Sequence, residues 1–189
     1  MEAPVITRSR RPFLLPVWLT FAAAAAFVVI LLLVYFLTYH SATTTMVVLA
    51  LHAEPESGTI QDPPLSTEGE QRAARLAQMF GRGQGAGRLA AIYVSDARRA
   101  QQTAAPLAER LGKQPVVVPA ADIKGTAARI LHDHEGDTVL VIGHSKSVPA
   151  LIHELADITV APLASDEYDT LYVVSIPSFG HANVLRMQY

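Results

Sequence analysis

Met46-Val47-Val48-Leu49-Ala50-Leu51-His52-Ala53-Glu54 has the pattern of a buried strand with chemistry at its end. Its apolar run follows threonines and precedes a Pro-Glu-Ser-Gly turn, the bounds expected of a core strand. A buried parallel strand delivers its first polar residue to the carboxyl edge of the sheet, where open α/β folds hold their ligands. Here that residue is His52.

The same pattern recurs outward along the chain. Leu89 to Val94 predicts a strand closing at Ser95-Asp96, Gln114 to Pro119 a short one, and Thr138 to Ile142 a buried one leading into Gly143-His144-Ser145. Thr170 to Ile176 and Ala182 to Met187 complete the set, joined by a Pro177–His181 turn. Between them lie helices. Ser66 or Thr67 caps the first, with Glu68 and Glu70 where carboxylates favour the helix dipole, and Ala73, Leu76, Ala77 and Phe80 form its apolar face. The others are Arg98 to Leu111, where Pro106 predicts a kink, Asp122 to His134, and Val148 to Ala156 with Pro149 in its first turn. Strands alternating with helices predict an α/β domain from Met46 to Tyr189, its mainly parallel sheet flanked by helices. The glycine-rich Gly81–Gly87 stretch lacks the preceding strand a phosphate-cradling loop needs, and reads as a connector.

Ahead of the domain, Phe13 to Tyr39 carries no charged side chain. As a helix it would be longer than the ~30 Å hydrocarbon core of a bilayer. Trp18 at one end, and Tyr35 and Tyr39 at the other, suit the interfaces. Cleaved signal peptides have shorter apolar cores and a small-residue cleavage site, whereas bulky Tyr35-Phe36-Leu37 closes this one. The expectation is a single-pass signal anchor over 13–39, after a basic tail over 1–12 and before a linker over 40–45. Arg8, Arg10 and Arg11 precede the span, and the next basic residue is Arg72. The positive-inside rule then leaves the amino terminus cytoplasmic, and the domain on the periplasmic or extracytoplasmic side of the inner membrane.

Composition narrows the chemistry. The net charge of −2 gives no basic excess for nucleic acid, so no nucleic-acid partner is expected. Cysteine is absent, which removes disulfides, zinc-thiolate sites and thiol nucleophiles. Three strand-end segments hold reactive groups: Leu51 to Glu54, Ser95 to Arg99, and Gly143 to Ser145. Two histidines and an arginine at one sheet edge suit phosphoryl transfer. A neutral imidazole can attack phosphorus, an arginine fork can grip the equatorial oxygens, and a second histidine can offset their charge.

In sequence the domain resembles the histidine phosphatase superfamily, also called phosphoglycerate mutase-like. Leu51-His52-Ala53-Glu54 matches that family's Arg-His-Gly/Ala-Glu, and Asp62-Pro63-Pro64-Leu65-Ser66-Thr67-Glu68-Gly69 resembles its second block. Ser95 through Arg99-Ala100-Gln101-Gln102-Thr103-Ala104 matches the third, and Val139 to His144 the fourth. The resemblance implies a cofactor-free and metal-free phosphomonoester hydrolase. It makes His52 the phosphorylated nucleophile, Arg99 the phosphate ligand and His144 the second pocket histidine. The family's proton donor is an acid of variable position, and Asp122 is the candidate here, with Glu54 second.

The chain departs from the family motif at Leu51, where an arginine is expected. Loss of one such donor elsewhere costs ~10²–10³ in rate. Lys146, two residues past His144, is a candidate replacement charge for the phosphate. Two rival expectations follow: a catalytically inactive domain that binds phosphorylated ligands, and a serine hydrolase. The second rests on Gly143-His144-Ser145-Lys146-Ser147, close to a nucleophile elbow around Ser145, with Asp166 or Asp169 and then His181 in chain order. Arg98 reads as a solvent-facing neighbour of Arg99. His132-Asp133-His134 lacks a third ligand nearby, so no metal is expected.

Overall fold

The computed structural model describes residues 17–40, 43–58, 61–82 and 88–189, and the chain divides into two units at Ala42/Thr43. In the first, α1 (Val17–His40) is apolar on every side, and Trp18–Leu37 has a mean hydropathy of 2.7. It is long enough to cross a membrane, a property that anchors and signal sequences share. Residues 13–16 of the expected span, like Gly83–Gly87 of the expected connector, lie outside the described residues.

The second unit runs β1 (Thr44–Leu51), α2 (Thr67–Phe80), β2 (Leu89–Ser95), α3 (Arg98–Leu111), β3 (Val116–Val118), α4 (Ile123–Asp133), β4 (Thr138–Gly143), α5 (Ser147–Ala156), β5 (Thr170–Pro177) and β6 (Asn183–Gln188). The strands form a sheet in the order β3-β2-β4-β1-β5-β6. The pairs β3–β2, β2–β4 and β4–β1 are parallel, and β5 and β6 are added antiparallel. The sheet is therefore mostly parallel and flanked by helices, as expected.

Alternation along β1 builds two cores. Val47, Leu49 and Leu51 face one layer with Ala127 and Ile130 of α4 and Leu151 and Ile152 of α5. Val48 and Ala50 face the other, with Leu76 and Ala77 of α2 and Ala100, Ala104 and Leu107 of α3. β1 begins at Thr44, inside the stretch expected as linker, because Thr44 and Thr45 pair with Pro177 and Ile176. Ser66 is the N-cap of α2, its side chain accepting from the Gly69 N–H. α3 runs through Pro106 as one helix.

Candidate active site

β2, β4 and β1 are neighbours, so their carboxyl ends bring Ser95, His144 and His52 to adjacent positions on one edge. Neighbouring strands lie ~4.8 Å apart, so side chains at adjacent strand ends start within reach of one another. The His52 and His144 rings meet edge to face with centroids 5.1 Å apart. Tyr168, in the α5–β5 connection, flanks His52 at 5.8 Å.

His52 is half-buried, and its backbone N–H donates to Gly143 O at 3.0 Å, tying the end of β1 to β4. Its Nδ1 lies 2.8 Å from the Ala53 carbonyl. A carbonyl only accepts, so Nδ1 carries the proton and Nε2 keeps its lone pair. Burial lowers the His52 pKa below its ordinary value, reinforced by the Arg99 charge and opposed by the Ala53 carbonyl. The imidazole is therefore neutral and nucleophilic at neutral pH.

His144 is oriented from three directions. Arg99 Nη2 lies 3.4 Å from its Nδ1, and its Nε2 is 2.9 Å from Ser95 Oγ. A guanidinium only donates, so Nδ1 accepts and the Nε2–H donates to Ser95. The His144 backbone N–H donates to Ser147 Oγ at 2.9 Å. Burial, then the neighbouring His52 and Arg99, pushes its pKa down to about 4. Gly143 allows this corner: a Cβ there would stand 2.8 Å from Ser147 Oγ.

Arg99 is held at the pocket by Asp62, 3.5 Å from Nη1. The Asp62 carboxylate also accepts the Arg98 N–H, at 3.1 and 3.0 Å, serving α3 where Ala97 offers no side-chain cap. Glu54 lies two residues past His52 and accepts from Arg72 twice: the single Nε–H is shared between its two oxygens, at 2.8 and 2.9 Å, and Nη2 donates to Oε1. Burial raises its pKa, but the bonds and charge of Arg72 outweigh this and hold the carboxyl below its ordinary value. α2 can approach this closely because residue 69 is glycine; a Cβ would stand 2.2 Å from Glu54 O.

The remaining sequence candidates are spread around this edge. Asp122 is exposed and caps α4, accepting from the Gly125 N–H at 3.0 Å. It shares with Ser95, Gly143 and Ser147 the lining of a cavity of about 30 Å³. Lys146 is exposed at the N-cap position of α5. Leu51 is 1% exposed within the α4/α5 core. Ser145 sits at the carboxyl edge after β4, whereas His181 follows β5, which ends at the opposite edge beside Thr44. The length of the sheet separates them, so they do not form a triad. His132 pairs with Asp133 and His134 with Tyr93, and the described residues contain no metal-binding cluster.

The model for the histidine phosphatase superfamily (branch 1) matches residues 47–122. The domain has the histidine phosphatase fold. It aligns with the protein histidine phosphatase SixA, solved with tungstate, at a TM-score of 0.60 and 21% identity, covering 76% of this chain and 96% of that one. A mycobacterial glucosyl-3-phosphoglycerate phosphatase aligns at 0.56 and 16% identity, covering 75% and 97%. At these identities the likeness is one of fold. The family model covers 76 of the 189 residues, the first part of the domain. No curated protein sequence matches the chain.

Within the histidine phosphatase fold, the sequence candidates omitted the supporting residues. Ser95 and Asp62 had been quoted only as motif positions. Thr103 Oγ1 accepts the Ala53 N–H at 2.9 Å and donates to Arg99 O at 2.7 Å, joining the His52 and Arg99 segments. Gln102 Oε1 accepts the Leu65 N–H at 2.9 Å, which fixes the second block against α3. These polar residues were visible in the third block, four and three positions past Arg99. Arg72 and Tyr168 carried no local signal at all.

Proposed function

We propose that this domain is a phosphatase working through a phosphohistidine on His52. The observation that carries it is the convergence of His52, with Nε2 free, on Arg99 and His144. In the first step the Nε2 lone pair forms the N–P bond as the bond from phosphorus to the leaving oxygen breaks. In the second, water attacks phosphorus, N–P breaks and inorganic phosphate leaves. Arg99 binds the equatorial oxygens, and His144 takes up a proton to share their charge.

The leaving oxygen needs a proton or must depart as an anion. Glu54 is held ionised by Arg72. Asp122 is exposed and caps α4 through Oδ1, with no bond to His52, Arg99 or His144. Substrates with good leaving groups are therefore the ones this site handles best, and aryl phosphates are the probe of choice. A groove of about 840 Å³ beside the site, sharing Asp62 and Arg98, offers room for the rest of a substrate. The neighbour named a protein histidine phosphatase makes a phosphorylated protein one such candidate. We further take α1 as a single-pass anchor with the amino terminus cytoplasmic.

Leu51 favours a second reading, a phosphate-binding domain without turnover, because the motif arginine is missing. Aryl phosphate hydrolysis by wild type, His52→Ala and Leu51→Arg separates the two. Turnover that disappears in His52→Ala supports the phosphatase. A silent wild type with an active Leu51→Arg supports the binding domain. Hydrolysis that persists in His52→Ala refutes the phosphohistidine step. A further loss in Lys146→Ala would give that exposed lysine a part in phosphate binding.

A further inference from the structure

The β5–β6 hairpin turns at the edge of the sheet opposite His52. Thr44 pairs with Pro177, while Ala50, near the catalytic end, pairs with Leu171. The turn is bound to the start of β1: Thr43 O accepts the Ser178 N–H at 2.9 Å and its hydroxyl at 2.8 Å. Phe179, within the turn, is 70% exposed, in a domain whose other aromatic side chains are at least half-buried. No Asp, Glu, Lys or Arg occurs from Thr170 to Leu185, nor from Phe13 to Ala53. Only residues 41 and 42 separate Thr43 from His40, the last residue of α1. A link of that length reaches at most about 11 Å.

We propose that the Ser178–Ala182 turn docks on the bilayer surface, with Phe179 entering the interfacial zone. The proposal rests on α1 being a membrane anchor. An aromatic ring at this level gains apolar contact without desolvating a charge, since the turn and the strand ends that flank it carry none. The two-residue link confines the start of β1 near the end of the anchor, so a weak surface affinity of the turn suffices. On the other flank of Thr43, Gly136 N donates to Thr45 Oγ1 at 2.9 Å, and Glu135 and Asp137 lie alongside. Those carboxylates favour water and confine the contact to the hairpin side. They also make a zwitterionic bilayer the right surface to use.

Docking sets the direction in which the site opens. β1 has 8 residues, so at ~3.3 Å per residue His52 stands roughly 25 Å from the docked edge. The catalytic edge then faces the aqueous phase, and the substrate is a phosphoryl group carried by a soluble molecule or protein, not a headgroup of the same leaflet.

The chain has no cysteine, so single labels are clean. Full-length protein in phosphatidylcholine vesicles would carry an environment-sensitive fluorophore at His181→Cys in the turn, Val117→Cys on the far edge strand, or Val28→Cys within α1. The expected result is quenching of the 181 label by nitroxide lipids and loss of its quenching by iodide, with the 117 label behaving oppositely. Adding Phe179→Asp to His181→Cys should return that label to water. If the 181 label matches the 117 label while the 28 label reads lipid, docking is wrong and the anchor stands. If the 28 label also reads water, the anchor falls and docking with it.

Discussion

Oxyanion binding should couple to a proton on His144, and pH is the perturbation that shows it. Its free-site pKa of about 4 leaves about one His144 in a thousand charged at pH 7. An anion held by Arg99 beside that ring favours the imidazolium, and an opposite charge at this range raises a pKa by up to ~3 units, which puts the bound-state value at about 7 at most. The sign follows. Binding takes up a proton between the two values, so affinity is highest on the acid side and is lost as pH rises towards the bound-state pKa. Between pH 5 and pH 7 the affinity for sulfate, a dianion throughout, should fall by up to roughly fifty-fold, or about 2.3 kcal/mol. Calorimetric titration in buffers of different ionisation enthalpy reads both the affinity and the proton uptake. His144→Gln should flatten the dependence. A flat wild-type profile would refute the coupling, and a slope surviving in His144→Gln would move it to His52.

Three further outcomes follow from the same geometry. Leu51→Ala empties a site that is 1% exposed in the α4/α5 core, and should cost about 2–5 kcal/mol in denaturant titration while leaving tungstate affinity unchanged. Arg72→Gln strands the Glu54 carboxylate and should destabilise by ~3 kcal/mol at neutral pH. Because the folded Glu54 pKa is depressed, this contribution is present above its unfolded value near 4.5 and fades as pH falls through the folded one; thermal melts of wild type and variant should converge in acid. Ser95→Ala removes the hydrogen bond to His144 Nε2 and, at about 1 kcal/mol, should lower kcat/KM roughly five-fold in an aryl phosphate assay.

The fold was legible because its strands are apolar runs and its helices carry a 3.6-residue stripe, both of which survive without tertiary context. β1 and β4 were read almost to the residue for this reason. The start of β1 was not, since Thr44 and Thr45 join the sheet through pairing with β5, a contact 130 residues away in sequence. The site divides along the same line. His52, Arg99 and His144 each end or follow a legible strand. Arg72 meets Glu54 only because α2 folds back over β1 at Gly69, and Tyr168 meets His52 only because the α5–β5 connection returns to the edge that holds His52. Neither meeting has a periodicity to announce it.

On the phosphatase reading position 51 is where an arginine is expected, and packing explains how a leucine fits there without disturbing the fold. Position 51 lies on the β1 face that looks toward α4 and α5, so a leucine there adds to an existing apolar layer. Its full burial contributes ~1.5–3 kcal/mol. The charged groups around His52 are already engaged: Glu54 pairs with Arg72 and Asp62 stands beside Arg99, both histidines are neutral at pH 7, and Lys146 is exposed at the start of α5. A phosphate dianion therefore meets one partly paired guanidinium and two imidazoles whose protons must come from solvent. On the phosphatase reading, the cationic charge that an arginine would supply permanently is supplied here only on demand, by protonation at His144. Tight anion binding at neutral pH with no proton uptake would be incompatible with that exchange.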